Sequence, residues 1–386
     1  MMLSSNKRDE LRFVTTIIGL VLTAVATCYP QTYKGVDHTV KPDSRVFLSQ
    51  PLTIGWRYNS DRTLNLTPAF DSDRVYLPLA GGIIVSLKAG DGILNWRSEF
   101  GGELSASPVA DDRSVYVASE TGKPESGTRR ATGALRALGK EGGVTQWMRT
   151  LATPLQGSLT LANGKLFGGG SDGRLYAFDS RTGEARWIFV YNAPFNSKPV
   201  IAGSRVYVGS EDGNLVVLDE HTGKLLWRYR TRGTVRGPAA TRDDIVYFGS
   251  GDNYVYAVNT LTARLLWRSR TGASVQAVVL AGADLLVASL DNYVYKFSLT
   301  GKRIWKRQMP GRISAQPLIT DLEALFTPLS SSAGVVLELR DGRQVNSLPV
   351  GEEITTSASP IAVGGVVLLT TEHGLLAFSQ PREAAP

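Results

Sequence analysis

Few residues in this chain are of a kind that performs chemistry, and their spacing argues against catalysis. His38, His221 and His373 are the only histidines, and Cys28 is the only cysteine among 386 residues. A disulfide framework is therefore impossible, and a Cys/His metal cluster lacks ligands. Asp-Gly pairs at 91–92, 172–173, 212–213 and 341–342 read as hairpin turns rather than calcium loops. Gly168-Gly169-Gly170 ends an apolar run with no helix after it, so it is no phosphate cradle. No Walker-type loop or H-E-x-x-H pair is present. What remains is a set of cations with two aromatics: Arg230, Arg232, Arg236, Arg270 and Arg312, with Tyr191 and Phe195. Such a set recognises a partner by charge and contact area.

Composition agrees. With 42% hydrophobic and 20% charged residues the chain can build a substantial core, and its formal net charge of +7 suits an anionic partner without requiring nucleic acid. Lys7, Arg8 and Arg12 precede an uncharged run from Phe13 to Thr27. That run has the length of a signal-peptide core and falls short of the roughly 20 residues of a membrane-spanning helix. Residues 1–27 are thus expected to be an export signal, with two processing routes open. Ala24-Val25-Ala26 fits an ordinary signal-peptidase site, whereas Leu22 to Cys28 resembles a bacterial lipobox, departing from it at Thr27. The second route makes Cys28 a lipid anchor. Residues 28–50, with Pro30, Gly35 and Pro42 and no periodicity, then read as a flexible tether.

The element that must position everything else is a repeat. Trp56, Trp96, Trp147, Trp187, Trp227, Trp267 and Trp305 lie 40, 51, 40, 40, 40 and 38 residues apart, and Val345 stands 40 beyond the last. Each unit holds four short β-branched or aromatic runs separated by Asp-Gly and Thr-Gly turns, as in Arg205–Ser210, Leu215–Asp219 and Lys224–Arg228. A period near 40 built from strands and turns marks a propeller of four-stranded antiparallel blades. The strands are apolar on both faces because each blade is sandwiched between two others. The tryptophans read as structural docking rings at the seams. The last unit offers strands at 356–361, 364–370 and 373–379 and lacks a fourth. Residues 52–58 form a fourth strand with nothing before it. Pairing the two predicts an all-β, eight-bladed β-propeller over residues 51–380, its last blade closed by the N-terminal strand, with 381–386 as a tail.

Asp179-Ser180-Arg181-Thr182-Gly183-Glu184-Ala185-Arg186-Trp187 and Asp219 to Trp227 resemble the tryptophan-docking repeat of the pyrroloquinoline quinone (PQQ) type propellers. Asn259 to Trp267 departs from it at Ala263, and the turns before Trp305 and Val345 are one residue shorter. The resemblance covers residues 52–379 and implies the fold. For function it points two ways, to the quinoprotein dehydrogenases and to the BamB outer-membrane assembly lipoproteins. A dehydrogenase holds its quinone and a calcium ion over the propeller axis with carboxylates, an aspartate base and commonly a vicinal disulfide. The innermost strands are expected near 66–70, 105–110, 156–161, 196–201, 235–240, 274–279, 313–319 and 356–361, and these windows contain no Asp, Glu or His. The chain therefore reads as a non-enzyme without cofactor or metal.

BamB-like members imply a scaffold in the cell envelope, lipid-anchored on the periplasmic side of the outer membrane or at the cell surface. Its partners would be envelope proteins, among them a β-barrel assembly complex. The alternative is an exported propeller that binds another protein or an anionic glycan, for which Tyr191, Phe195, Tyr254 and Tyr293 are the exposed-aromatic candidates. The binding face is expected where interblade loops meet the loops between second and third strands. It carries the insertion 119–130, the arginines named above on one side, and Asp61, Glu99, Glu103, Glu352 and Glu353 on the other. Arg236 has no acidic companion in its own loop, and Arg57, Arg97, Arg228, Arg268 and Lys306 guard the outermost strand edges.

Overall fold

The computed structural model describes residues 46–121 and 132–381, all within the compact unit Gly35–Pro386. The signal segment, Cys28, His38, most of the 119–130 insertion and the end of the tail lie outside the described residues. Among the described residues there is no helix. The strands form six four-stranded sheets and one eight-stranded sheet. The larger sheet is two four-stranded halves joined where Leu104–Ala110 and Leu155–Ala162 run parallel, pairing Gly157 with Ala106 and Ser158 with Ser107. Taking each half as a unit, units 1 to 7 span 69–99, 104–151, 155–190, 200–230, 240–270, 275–308 and 318–349. Unit 8 combines Ile361–Val363, Val366–Thr371 and Gly374–Ser379 with Thr53–Asn59, whose residues pair antiparallel with Gly374–Ser379.

Because the middle strands are apolar on both faces, their burial is complete on both sides. Val206, Val216, Val217 and Leu218 have no exposed surface. The core is accordingly divided into eight clusters, each shared by two units. Tyr76 and Val115 meet between units 1 and 2, Phe167 and Val206 between units 3 and 4, and Val75 and Leu368 between units 1 and 8. Residues of the last sheet thus share a core cluster with residues of the first.

Each tryptophan binds across a seam. The indole N–H donates to a carbonyl oxygen in the turn between third and fourth strands of the following unit: Trp56 to Ala89, Trp96 to Lys140, Trp147 to Ser180, Trp187 to Glu220, Trp227 to Thr260, Trp267 to Leu299 and Trp305 to Leu339, at 2.7–3.2 Å. The turn itself is set by an Asx cap. Asp219 Oδ1 accepts the backbone N–H groups of His221 and Thr222, and the Thr222 hydroxyl holds its carboxyl below the usual range. Gly223 then adopts φ +68°, and a Cβ there would stand 2.5 Å from the Trp187 ring. Conformation and space both demand glycine. In unit 5 the corresponding residue is Ala263, at φ +57°.

Val345 replaces tryptophan where the following unit has no such turn, since unit 8 draws its third and fourth strands from opposite ends of the chain. The N-terminal segment covers the seam instead. Val46 and Leu48 are buried there beside Leu348 and Phe378, Leu48 N–H donates to Glu323 at 2.8 Å, and Asn346 Nδ2 donates to the Leu48 and Gln50 carbonyls. This corrects the expected tether, because residues 46–50 belong to the folded body. The innermost strands also begin later than expected, at Ala69, Val200, Ala240, Leu318 and Ile361. Pro68, Pro199, Pro238, Pro317 and Pro360 precede them closely and cannot donate to a ladder. Where Leu159 and Val278 stand instead, the strands run Leu155–Ala162 and Val275–Ala281.

Docking of the indole on a bare turn predicts opposite effects at two equivalent positions. Gly223→Ala should destabilise by about 1–3 kcal/mol, from overpacking and left-handed strain. Ala263→Gly should cost nothing or gain up to about 1 kcal/mol. Thermal unfolding of the two variants beside the parent decides it; equal shifts of the same sign would remove the docking argument.

Candidate functional site

The strands are consumed by packing, so recognition falls to the loops and to the inner wall. At one end of most units the loop that leaves the outermost strand crosses the turn between second and third strands of the same unit or of the next. Thr231 N–H donates to Gly213 O and Val235 N–H to Ser210 O; Thr271 N–H donates to Asn253 O and Val275 N–H to Ser250 O. The two loop types therefore share one face, as the repeat implied. Thr231 and Thr271 are buried, their hydroxyls 2.7 and 2.8 Å from the carbonyls two residues on, and they hold these loops in one shape.

Aspartates of the second-to-third turns complete the loops. Asp252 accepts Arg232 N–H at 2.9 Å, Asp291 accepts Gly272 N–H at 2.8 Å, and Asp212 accepts the Tyr191 hydroxyl at 3.1 Å. Tyr256 and Tyr295 also donate to Asp252 and Asp291. Burial first, and then the neighbouring carboxylate, pushes the Tyr295 hydroxyl up to about 12. These carboxylates tie the second-to-third turn of one unit to the segment leaving the unit before it.

Arg230, Arg232, Arg236, Arg270 and Arg312 are all exposed on this face. Arg230 and Arg270 end outermost strands opposite Asn214 and Tyr254. Arg236 does have an acidic companion, missed because it lies 25 residues away in another loop: its guanidinium binds both oxygens of Glu211, at 2.9–3.2 Å. Asn196 Nδ2 donates to the same carboxylate at 2.9 Å. This pairing holds the Glu211 carboxyl below its usual range.

Other expectations are corrected. Phe195 is fully buried in the seam between units 3 and 4 and cannot touch a partner. Tyr191 stacks on Phe189 and Phe195 with its hydroxyl engaged. Arg268 lies 4.8 Å over the Tyr254 ring and Lys306 4.8 Å over Tyr293, so neither ring offers the uncovered platform expected for a glycan. Of the acidic residues, Glu353 is buried, paired with Arg57 at 3.1 Å and hydrogen-bonded to Thr371. Glu103 accepts Gly81 N–H at 2.9 Å, and Glu99 pairs with Arg97. Glu353 is thus structural, whereas Asp61, Glu99, Glu103 and Glu352 are exposed as expected.

A cavity of about 980 Å³ is lined by residues of the innermost strand of every unit, or of the loop leading into it. Asp321 is the only carboxylate among its described lining residues, and Lys198 and Arg236 are the only cations. No group of three or more His, Cys, Asp or Glu with metal-binding geometry exists among the described residues.

A family model described as outer membrane protein assembly factor BamB matches residues 45–129, 131–241 and 232–385. No curated protein matches the chain. Among solved structures, BamB from Moraxella catarrhalis aligns with a TM-score of 0.70 at 17% identity, covering 87% of this chain and 99% of that one. The computationally designed Ika8 protein aligns at 0.70 with 15% identity, covering 84% and 98%. Quinohemoprotein alcohol dehydrogenase from Comamonas testosteroni aligns at 0.69 with 11% identity, covering 88% and 78%. At these identities the likenesses establish the propeller fold alone.

The Arg236–Glu211 pair has a pH signature. A carboxyl depressed in the folded state contributes stability above its unfolded pKa, and loses it as pH falls through the folded value. With Arg236 largely exposed the contribution should be below about 1 kcal/mol. Glu211→Gln should therefore lower the melting temperature slightly near pH 7, and the difference should vanish once pH falls below the carboxyl's depressed folded value. A difference that persists in acid would show that the pair is not its source.

Proposed function

Since the chain belongs to the BamB family of outer-membrane assembly factors, we propose that it is a non-enzymatic scaffold of the cell envelope, an eight-bladed propeller that presents its loop face to protein partners. The observation that carries this reading is the loop face. Exposed arginines stand there on loops whose backbones are fixed by buried threonines and capping aspartates, so a charged surface is presented without the cost of ordering it on binding. The pairing of Thr53–Asn59 with Gly374–Ser379, together with the cluster shared by units 1 and 8, supports closure of the eight blades by the N-terminal strand. The partners we infer are envelope proteins, among them a β-barrel assembly complex. The place we infer is the periplasmic side of the outer membrane, with Cys28 as the lipid anchor.

Two rival readings have less support. Dehydrogenase chemistry would need several converging acidic ligands, and Asp321 is the one carboxylate in the described lining of the inner cavity. Glycan recognition would need stacking faces, and those of Tyr254 and Tyr293 are covered by Arg268 and Lys306.

Arg230→Glu, Arg232→Glu and Arg270→Glu in one chain should leave the melting temperature within a few degrees of the parent, as surface changes do. Capture of barrel-assembly components after crosslinking in cells should drop by about tenfold or more. Undiminished capture by the folded triple variant would move the interface off this face. Capture confined to unrelated envelope components would retire the assembly role.

A further inference from the structure

The turn between third and fourth strands and the outermost strand after it recur from unit to unit, yet their charge does not. In units 4, 5 and 6 these segments are 219–230, 259–270 and 298–308, and they hold ten Lys or Arg against two acids, Asp219 and Glu220. Glu220 is buried and bound to Lys165, and Asp219 caps its own turn. In units 1, 2, 3 and 7 the corresponding segments, 88–99, 139–151, 179–190 and 338–349, hold eight Lys or Arg against seven acids. The fold needs the turn and the strand in all seven units, so it does not account for an excess confined to three of them.

The order of side chains along these three strands also repeats. Lys224-Leu225-Leu226-Trp227-Arg228, Arg264-Leu265-Leu266-Trp267-Arg268 and Arg303-Ile304-Trp305-Lys306 each place apolar residues between two cations. The tryptophans turn into the seams, and every other residue of the three runs is exposed. The strands are held side by side, because Trp227 donates to Thr260 and Trp267 to Leu299 in the turn of the next unit. Lys224, Arg264, Lys302 and Arg303 form no salt bridge among the described residues. Acids border the band: Glu184 on unit 3, Asp243 and Asp244 beside Arg242 in the first-to-second turn of unit 5, Asp284 bound to Lys296, and Asp341 beside Arg340 on unit 7. Units 1 to 3 also expose apolar residues on this edge, such as Leu94, Val144 and Ile188, but beside balanced charge.

We propose that the outermost strands of units 4 to 6 dock on the surface of an anionic phospholipid bilayer. Leu225, Leu226, Leu265, Leu266 and Ile304 enter the headgroup layer, and the cations on either side of them bind lipid phosphates. Charge complementarity supplies the attraction. Apolar residues bracketed by long cationic side chains match the two depths of a membrane interface, acyl boundary and phosphate. Composition argues against a protein on the same surface. Protein interfaces draw their energy from exposed Trp, Tyr and Arg and are depleted in Lys, whereas here the tryptophans are spent on the seams and the apolar residues are leucine and isoleucine. The same surface of a second copy would set cations against cations. Protection of strand edges selects no sign of charge, and units 1, 3 and 7 achieve it with balanced charge. The contact needs neither the loop face nor an acyl anchor.

The test is co-sedimentation of residues 28–386 carrying Cys28→Ser, so that no acyl group contributes, with vesicles of phosphatidylcholine alone or mixed with phosphatidylglycerol. Binding to the mixed vesicles should exceed that to phosphatidylcholine by about tenfold or more, and should fall as salt screens the charges. Lys224→Glu, Arg264→Glu and Lys302→Glu in one chain should weaken it about tenfold or more. Arg97→Glu, Arg113→Glu and Arg340→Glu make the same change of net charge on units 1, 2 and 7 and should retain most of the binding. Leu226→Ser, Leu266→Ser and Ile304→Ser together should weaken it about tenfold by removing apolar area from the headgroup layer. Each triple variant alters exposed side chains only, and thermal unfolding verifies that it is folded. Equal loss in the two charge-reversed chains would overturn the proposal by making net charge the cause. Undiminished binding by the serine variant, or no binding to the mixed vesicles at all, would overturn it as well. Only lipid is present in this readout, so failure of the loop face to capture its protein partners would leave the result unchanged.

Discussion

Everything in this molecule depends on sheets that are apolar on both faces. A four-stranded sheet of that kind cannot face water on either side, so it persists only between two others, and the first and last members must find each other. The cluster joining Val75, Leu77 and Val85 to Ile361, Leu368 and Ala377 meets that demand. The tryptophans give the seam direction. An indole on an outermost strand reaches across to the next turn, where a glycine in the left-handed region leaves room for it, so each sheet is fastened at its rim as well as through its middle. The Asp-x-x-Thr-Gly signature is thus the chemistry of a receptor for the ring of the previous unit.

The exceptions obey the same rule. A tryptophan at position 345 would have no turn to bind, since the unit it faces is assembled from both chain ends. Valine stands there, and the surface an indole would have covered is taken by Val46 and Leu48. The few residues before the first strand are therefore part of the folded body. Their hydrogen bonds to Glu323 and Asn346 tie the beginning of the folded body to its penultimate unit.

How much of this was legible in the sequence follows from the range of each interaction. Turns and strand pairing are local, and the strands of unit 4 lie close to where Arg205–Ser210, Leu215–Asp219 and Lys224–Arg228 place them. The candidate site was legible only as composition. The arginines are exposed as a charged loop implies, but Phe195 looks from its neighbours like a loop aromatic and is a seam residue. Glu353 looks like a solvated acid and is buried against Arg57. Arg236 looks unpaired because its partner arrives from a different turn of the same face. Period and turn chemistry carry no information about which side chains from separate loops converge. Val46 and Leu48 escaped for a related reason: two apolar residues among prolines and charges have no periodicity to report, and their burial is set by a vacancy far away in the chain.

The character of the inner wall has the same origin as the closure. Prolines precede most of the innermost strands, so the ladder stops short and the residue before proline has no partner within its own sheet. Gln316, Ser359 and Thr67 turn that N–H sideways to a hydroxyl of the next unit. The polar end of the wall is thus made of bonds that hold neighbouring units together where they crowd most closely. Beyond that level the ladder runs in every unit, and the side chains it turns inward are those of ordinary strands: Phe70, Leu161, Leu280 and Ile319. An amphipathic wall therefore needs no selection for a ligand to come into being. What the repeat does not dictate is a lysine at position 198, where the equivalent residues of other units are Thr67, Ser107, Gln316 and Ser359. A cation at the crowded end is tolerated only if an acceptor or an opposite charge meets it there.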